Sequence, residues 1–403
     1  MAWTVRLALL QLKQRAEQEL GFGISFASSR TFALSSSLVD NGLADGEVLQ
    51  VLARRARLFS SRFCSSFVLV QSDGTVKGWG NWQACADMDF AQRRLTEVQQ
   101  VAVGKNAMAA LRVDGTVVSW GDCESPESCG LQETDLQDVQ DIAASIHAFA
   151  ALRRDGQVRT WGWPNYGGDS SEVRDQLVDV VQVVASFYAF AALKRDGSVV
   201  TWGEAHCGGD SQRVQAELRA VRLLRSTARA FAALRCDGTV VTWGHPVAGG
   251  DSSHVLLQGV VDVSSTRAAF AALHGDSQAT AWGHATAGGD ASAVQDQLHE
   301  VQEIVGSDGA FAAVCRDGRL VLWGDERYGA QSGLTHLSDL QQLVASNYAF
   351  AALTAEGTVL TWGHGAGGGD SSAVQEQLKE VQQVVGSSDS FAALRKDETV
   401  VVW

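Results

Sequence analysis

The sequence predicts an all-β array of tandem repeats, closed as a β-propeller with short helices between its strands, behind a small α+β segment. Three observations predict it. Tryptophan recurs at Trp79, Trp120, Trp161, Trp202, Trp243, Trp282, Trp323, Trp362 and Trp403, at spacings of 41, 41, 41, 41, 39, 41, 39 and 41 residues. An Asp-Gly pair stands shortly before most of them, and an apolar Phe-Ala-Ala-Leu run stands before that. Self-similarity at one period marks a repeat architecture.

Along the chain, residues 1–57 form the first predicted unit. Val5, Leu9, Leu12, Ala16 and Leu20 make an apolar stripe at helical spacing, and Gly21 is a natural stop. Residues 24–34 read as two short strands around Ser28-Ser29-Arg30, and Glu47 to Leu52 ends the segment as another strand. The phrase from Ser37-Leu38 through Gly42-Leu43 and Asp45-Gly46 to Val48-Leu49 resembles the carboxy-terminal half of a ubiquitin-like fold. The resemblance implies a truncated domain, because the chain begins at that fold's helix.

Residues 58–403 carry the repeats. In the third, Phe149-Ala150-Ala151-Leu152 reads as a strand, Asp155-Gly156 as a hairpin turn and Val158-Arg159-Thr160-Trp161 as its partner strand. Asp276-Ser277 and Asp397-Glu398 lack the turn glycine, so looser turns are expected there. Next comes Gly167-Gly168-Asp169-Ser170-Ser171-Glu172, whose Gly-Gly-Asp returns at 208–210, 249–251, 288–290 and 368–370. Asp169 followed by Glu172 reads as a capping box for a helix of two turns, with an outer strand as the alternative. Asp169, Asp210, Asp251, Asp290 and Asp370 are accordingly expected as helix caps. Val180 to Val184 then leads into the next Phe-Ala-Ala-Leu.

The Phe-Ala-Ala-Leu runs are apolar on both faces, as stacked sheets require, and alanine permits close approach. Radial blades fit this pattern, with an open β-rich solenoid as the alternative, since nine hairpins exceed the usual four to eight blades. The last tryptophan ends the chain, so closure is expected to need residues near the first repeat to complete the last blade.

Composition narrows the function classes. Net charge is −14, yet residues 1–66 carry +3, which leaves −17 on the repeats. An acidic body repels phosphate backbones, so nucleic acid is not an expected partner. No stretch approaches the roughly 20 apolar residues of a membrane span, and no membrane partner is expected. Seven cysteines without a CxxC pair suit a reducing intracellular setting, cytoplasmic or nuclear.

The string Ala-Leu-x-x-Asp-Gly-x-Val-x-x-Trp-Gly, repeated from about Leu58 to Trp403, resembles the repeat of the regulator of chromosome condensation family. The resemblance implies a propeller. It departs from the family where a Gly-Gln-Leu-Gly loop gives way to Gly-Gly-Asp-Ser; Tyr328-Gly329-Ala330-Gln331 comes nearest. Guanine-nucleotide exchange on a Ran-like GTPase is one implied activity, although intervals of 39 to 41 residues leave no room for the family's inserted wedge. A tryptophan-based UV photoreceptor is a second implied alternative, against which stands the absence of a Gly-Trp-Arg-His-Thr signature. Similar propellers also occur in HECT-type ligases, which implies an adaptor role in the ubiquitin pathway.

The residues just after Trp-Gly should occupy equivalent places on one rim: Asn81, Asp122, Trp163, Glu204, His245, His284, Asp325 and His364. They vary from repeat to repeat, and variable loops on a rigid frame are where specificity sits. The expected function is therefore a non-catalytic scaffold that binds a protein partner through this rim. Nucleophile, phosphate-loop and zinc-protease motifs are absent, so neither catalysis nor a cofactor is expected. His245, His284 and His364 sit on separate repeats, and no metal is expected there.

Overall fold

The computed structural model describes the backbone of residues 24–27 and 50–53, and residues 55–81, 91, 93–121 and 133–403. Ile24–Ala27 pairs antiparallel with Gln50–Ala53. The predicted helix at 4–20, and the rest of the ubiquitin-like phrase, lie outside the described residues.

The remaining strands form nine three-stranded antiparallel sheets, one per tryptophan. Unit 4 shows the pattern, with an inner strand Val180–Ala185, a middle strand Ala189–Lys194 and an outer strand Val199–Gly203. Phe190 pairs with Trp202 and Leu193 with Val199, the register that a tight Asp196-Gly197 turn imposes. The middle strand is buried from Ala189 to Leu193. Its alternation decides which neighbour each side chain meets. Phe190 and Ala192 pack on Ala148, Ala150 and Leu152 of unit 3, whereas Ala189, Ala191 and Leu193 pack on Phe231 and Ala233 of unit 5.

The units form a ring. Inner strands lie against one another in succession, and that of unit 9 (Val381–Gly386) lies against that of unit 1 (Arg57–Ser60). Ala392 and Leu394 pack on Ala56, Leu58, Phe67 and Leu69, and Gln383 brackets Leu58 with bonds of 2.9 Å and 3.0 Å to its N–H and C=O. Closure therefore proceeds face to face. The expectation that unit 1 would complete the last blade is corrected: Val400–Val402 pairs with Phe391–Arg395 inside its own unit. Since each sheet is whole by itself, a seam needs only matching faces.

Two local expectations also change. Four of the five Gly-Gly-Asp linkers hold 3-10 segments of three to six residues, such as Ser171–Gln176 and Ser292–Gln297, and the one after Asp251 holds a turn, so none is a two-turn α-helix or a strand. Their aspartates close turns ahead of those segments instead of capping them: Asp169, Asp210, Asp251, Asp290 and Asp370 each accept the backbone N–H two residues on, at 2.8–2.9 Å. The linker must run from one end of a blade to the other in few residues, and the longer rise of a 3-10 segment suits that better than an α-helix. Nor are the glycine-free hairpins looser. Ser277 (φ 66) and Glu398 (φ 62) adopt the left-handed conformation that glycine takes elsewhere and keep its closing bonds to His274 and Arg395.

The paired glycines have an inter-blade role. Gly167 has φ 89, and a Cβ there would lie 2.5 Å from the Phe190 ring of the next unit. Its carbonyl accepts the Trp202 indole N–H at 3.0 Å. Gly208–Trp243, Gly249–Trp282, Gly288–Trp323 and Gly368–Trp403 repeat the bond at 2.9–3.1 Å. In the variant seventh loop Ala330 takes the second glycine's place, and the buried Trp362 indole finds no acceptor.

Candidate functional site

Each outer strand runs toward the corner that joins the inner and middle strands, so the residue after Trp-Gly emerges at that end. A backbone bond anchors it to the corner. Asn81, Trp163, Glu204, His245, His284, Asp325 and His364 donate their N–H to the carbonyls of Ser65, His147, Tyr188, Arg229, Ala268, Gly309 and Tyr348, at 2.9–3.0 Å. Seven of the expected rim residues thus occupy equivalent positions, and Asp122 lies outside the described residues.

From Trp163 onward each of these residues precedes a three-residue 3-10 turn that ends in a left-handed glycine. A buried hydroxyl pins that turn to the corner of its own unit. Ser145, Ser186, Thr227, Thr266, Ser307 and Ser346 donate to the carbonyls of Tyr166, Cys207, Ala248, Ala287, Tyr328 and Gly367. The rim is consequently stiff, while its side chains are free to differ.

Below the rim the corners are chained around the axis. Backbone N–H groups donate in sequence from Lys105 to Ile146, Phe187, Ala228, Arg267, Asp308, Asn347 and Ser388, and from Ser388 to Cys64, at 2.9–3.3 Å. These eight links give the corner end a continuous hydrogen-bonded floor.

The rim side chains do not converge on one centre. Trp163, 48% exposed, stacks on His147 at 5.4 Å. His147 meets the Tyr166 edge at 4.7 Å, Tyr166 meets Tyr188 at 5.3 Å, and Tyr188 abuts Phe187 at 6.2 Å. This aromatic run leads from the rim of unit 3 toward the axis. Across the ring, Tyr328 stacks on Tyr348 at 5.3 Å, with His364 beyond it at 6.2 Å. Sequence reasoning found Trp163 and His364 but missed the corner aromatics. Their signal was present, because the position before each Ala-Phe-Ala-Ala also varies: His147, Tyr188, Arg229, Ala268, Gly309 and Tyr348.

Elsewhere on the rim, Arg327 grips Asp325 at 2.6 Å and holds that carboxyl below its usual range. His245, His284 and His364 join no cluster: among the described residues no group of three or more His, Cys, Asp or Glu is arranged to hold a metal ion. Eight of the nine repeated indoles face phenylalanines of their own sheets at 5.1–5.7 Å, as in Phe190–Trp202 and Phe311–Trp323, while Trp120 lies opposite Met108. Among the described residues no helix is long and apolar enough to cross a membrane.

No protein-family model and no curated protein matches the chain. Solved structures that resemble it include Prp20p from Saccharomyces cerevisiae, at 17% identity over 70% of this chain and 74% of that one, with a TM-score of 0.40. Human WBSCR16 is 15% identical over 92% of this chain and 94% of its own, at 0.41. The computationally designed Ika8 protein is 16% identical over 76% and 96%, also at 0.41. The architecture itself rests on the sheets and seams described above.

Proposed function

We propose that the protein is a non-catalytic scaffold that binds a protein partner at the corner end of its ring. One observation carries this reading: an exposed tryptophan heads an aromatic run on a frame whose turns are pinned and whose side chains vary. Tryptophan and tyrosine dominate the energetics of protein interfaces, because they bury much area at little entropic cost. The same rim adds Glu204 in the next unit and, across the ring, the Asp325–Arg327 pair, which give such a surface polar specificity. An intracellular setting, and a ubiquitin-pathway role suggested by residues 1–57, extend this reading.

Affinity capture from native lysate tests it with three forms of the full chain: unchanged, Trp163→Ser, and a control at the opposite end, Arg316→Glu. Binding partners should be recovered by the unchanged and control forms and lost by Trp163→Ser. Equal recovery by all three would place binding elsewhere. Release of labelled GDP from Ran-like GTPases discriminates the exchange-factor alternative, since acceleration by the protein would replace the scaffold reading.

A further inference from the structure

One corner differs from the rest. Between inner and middle strands, units 2 to 8 have three residues, such as Ser145-Ile146-His147, whereas unit 1 has five, Ser61 to Ser65. Cys64 keeps the place of Ile146 in the chain of corner bonds, so the extra length falls on the residues before it. They enter the axis. Arg62 donates through Nη1 to the carbonyls of Gly306 (3.0 Å) and Ser307 (3.2 Å) in unit 7. Asn347 of unit 8 donates to the Arg62 carbonyl at 3.3 Å, and Phe63 meets Phe187 of unit 4 edge-on at 5.1 Å. Asp308 lies close by, its carboxyl pushed up by burial and drawn back down by Arg62 and by Arg267.

The site of this insertion matters because the seams are not equivalent. Eight are bridged by the polypeptide itself, since a linker joins each unit to the next. Among the described residues the seam between units 9 and 1 is joined by packing, the Gln383–Leu58 bonds, contacts of the Ser65 hydroxyl with Ser388 and Asp389 at 2.9 Å each, the Ser72 N–H on the Glu398 carboxylate at 3.4 Å and the bond from Ser388 to Cys64, with no linker across it. Ends of a repeat array fray first, because separating them releases chain entropy that an interior seam does not.

We propose that residues 61–63 are an axial latch that holds the ring shut at the 9–1 seam by tying unit 1 across the axis to units 4, 7 and 8. When the seam opens, unit 1 must withdraw Arg62 from two carbonyls and Phe63 from Phe187, so opening is coupled to distant blades. The latch also fills the centre of the corner-end floor.

Amide hydrogen exchange on the full chain tests this with the double variant Arg62→Ala, Phe63→Ala. Exchange at Leu58 and Ser388, whose N–H groups bond across the 9–1 seam, should rise by about tenfold or more. Exchange at Ala228, bonded to Arg267 across a linked seam, should stay unchanged. A seam disulfide from Ser65→Cys with Ser388→Cys should suppress the rise. Should the double variant fail to fold, Arg62→Lys should show the same selectivity at smaller amplitude. A uniform increase that includes Ala228, or no increase at the seam, would overturn the latch.

Discussion

At the residue scale, one hydrogen bond shows how the repeats are tuned. Thr201 Oγ1 meets Ser211 Oγ at 2.9 Å, and Thr160–Ser170, Thr242–Ser252 and Thr361–Ser371 repeat the pair at 2.9–3.0 Å. In unit 6 both members are alanine, Ala281 and Ala291, so the chain has replaced the donor and the acceptor together. Each hydroxyl also holds a second bond, Thr201 to the Gly209 carbonyl at 3.0 Å and Ser211 to the Gln215 side chain at 2.9 Å, so removing one partner weakens a shared network and removing both leaves an apolar contact. Thr201→Ala and Ser211→Ala should each cost about 1 kcal/mol, and the double variant less than the sum of the two, because they share one bond. Denaturant unfolding of the four forms measures the coupling, and strict additivity would refute it. Ser277 presents the opposite case, since it holds a left-handed backbone without being glycine. That conformation costs an L-residue roughly 1–2 kcal/mol, partly offset by the entropy glycine loses on folding. Ser277→Gly should raise the melting temperature, and an unchanged or lower value would show that the turn is unstrained.

At the element scale, stability between blades is concentrated where the linker crosses the next sheet. Gly208 combines φ 96 with a Cβ position 2.5 Å from the Phe231 ring, and its carbonyl receives the Trp243 indole. Gly208→Ala must push the linker off the neighbouring blade, so a loss of about 2–4 kcal/mol is expected, from overpacking plus backbone strain. Gly259→Ala is the control, because nothing lies within 4 Å of a Cβ there. With φ 64, its cost should be confined to the backbone. Equal losses at the two sites would mean that packing against the next blade is unimportant. Among the described residues no fourth strand continues the sheets past the outer strands; Leu320 of unit 7 donates to the Thr335 carbonyl at 3.0 Å, and glutamines cover part of the edge elsewhere, Gln215, Gln295 and Gln375 donating to the carbonyls of Val199, Ala279 and Val359 at 3.0–3.1 Å. Such cover limits edge-to-edge association.

At the scale of the whole molecule, the ring makes all units share one fate, and its charge makes that fate depend on acidity. Asp196, Asp237, Asp317 and Asp397 in the hairpins, and Asp251, Asp290 and Asp370 in the linkers, are all held below the usual carboxylate range, by hydrogen bonds from the residue two positions on. A carboxyl depressed on folding contributes stability that is present above its unfolded value of about 3.9 and is lost as pH falls through the folded one. Asp308 is raised by burial and acts in the opposite sense, favouring the fold at low pH. Among the described residues nine depressed carboxyls, these seven with Asp325 and Glu376, outnumber the raised Asp308 and Glu303, so the melting temperature should fall as pH drops below about 4. Asp237→Asn together with Asp397→Asn should flatten that fall, and a curve that leaves it as steep would locate the acid sensitivity elsewhere.

The sequence by itself determined the unit: its length, its hairpin register, the apolar middle strand and the stacked tryptophan are local, and each follows from the period-two alternation and the Asp-Gly turn. It also placed Trp163, His284 and His364 at one end, because equal spacing from a fixed strand puts residues in equivalent places. Only the tertiary structure decided the rest. Nine blades close because the last sheet presents Ala392 and Leu394 to Ala56 and Leu58, a match between residues more than three hundred positions apart that no local pattern announces. Arg62 became an axial group for the same reason, since its partners at Gly306 and Ser307 are its neighbours in space alone.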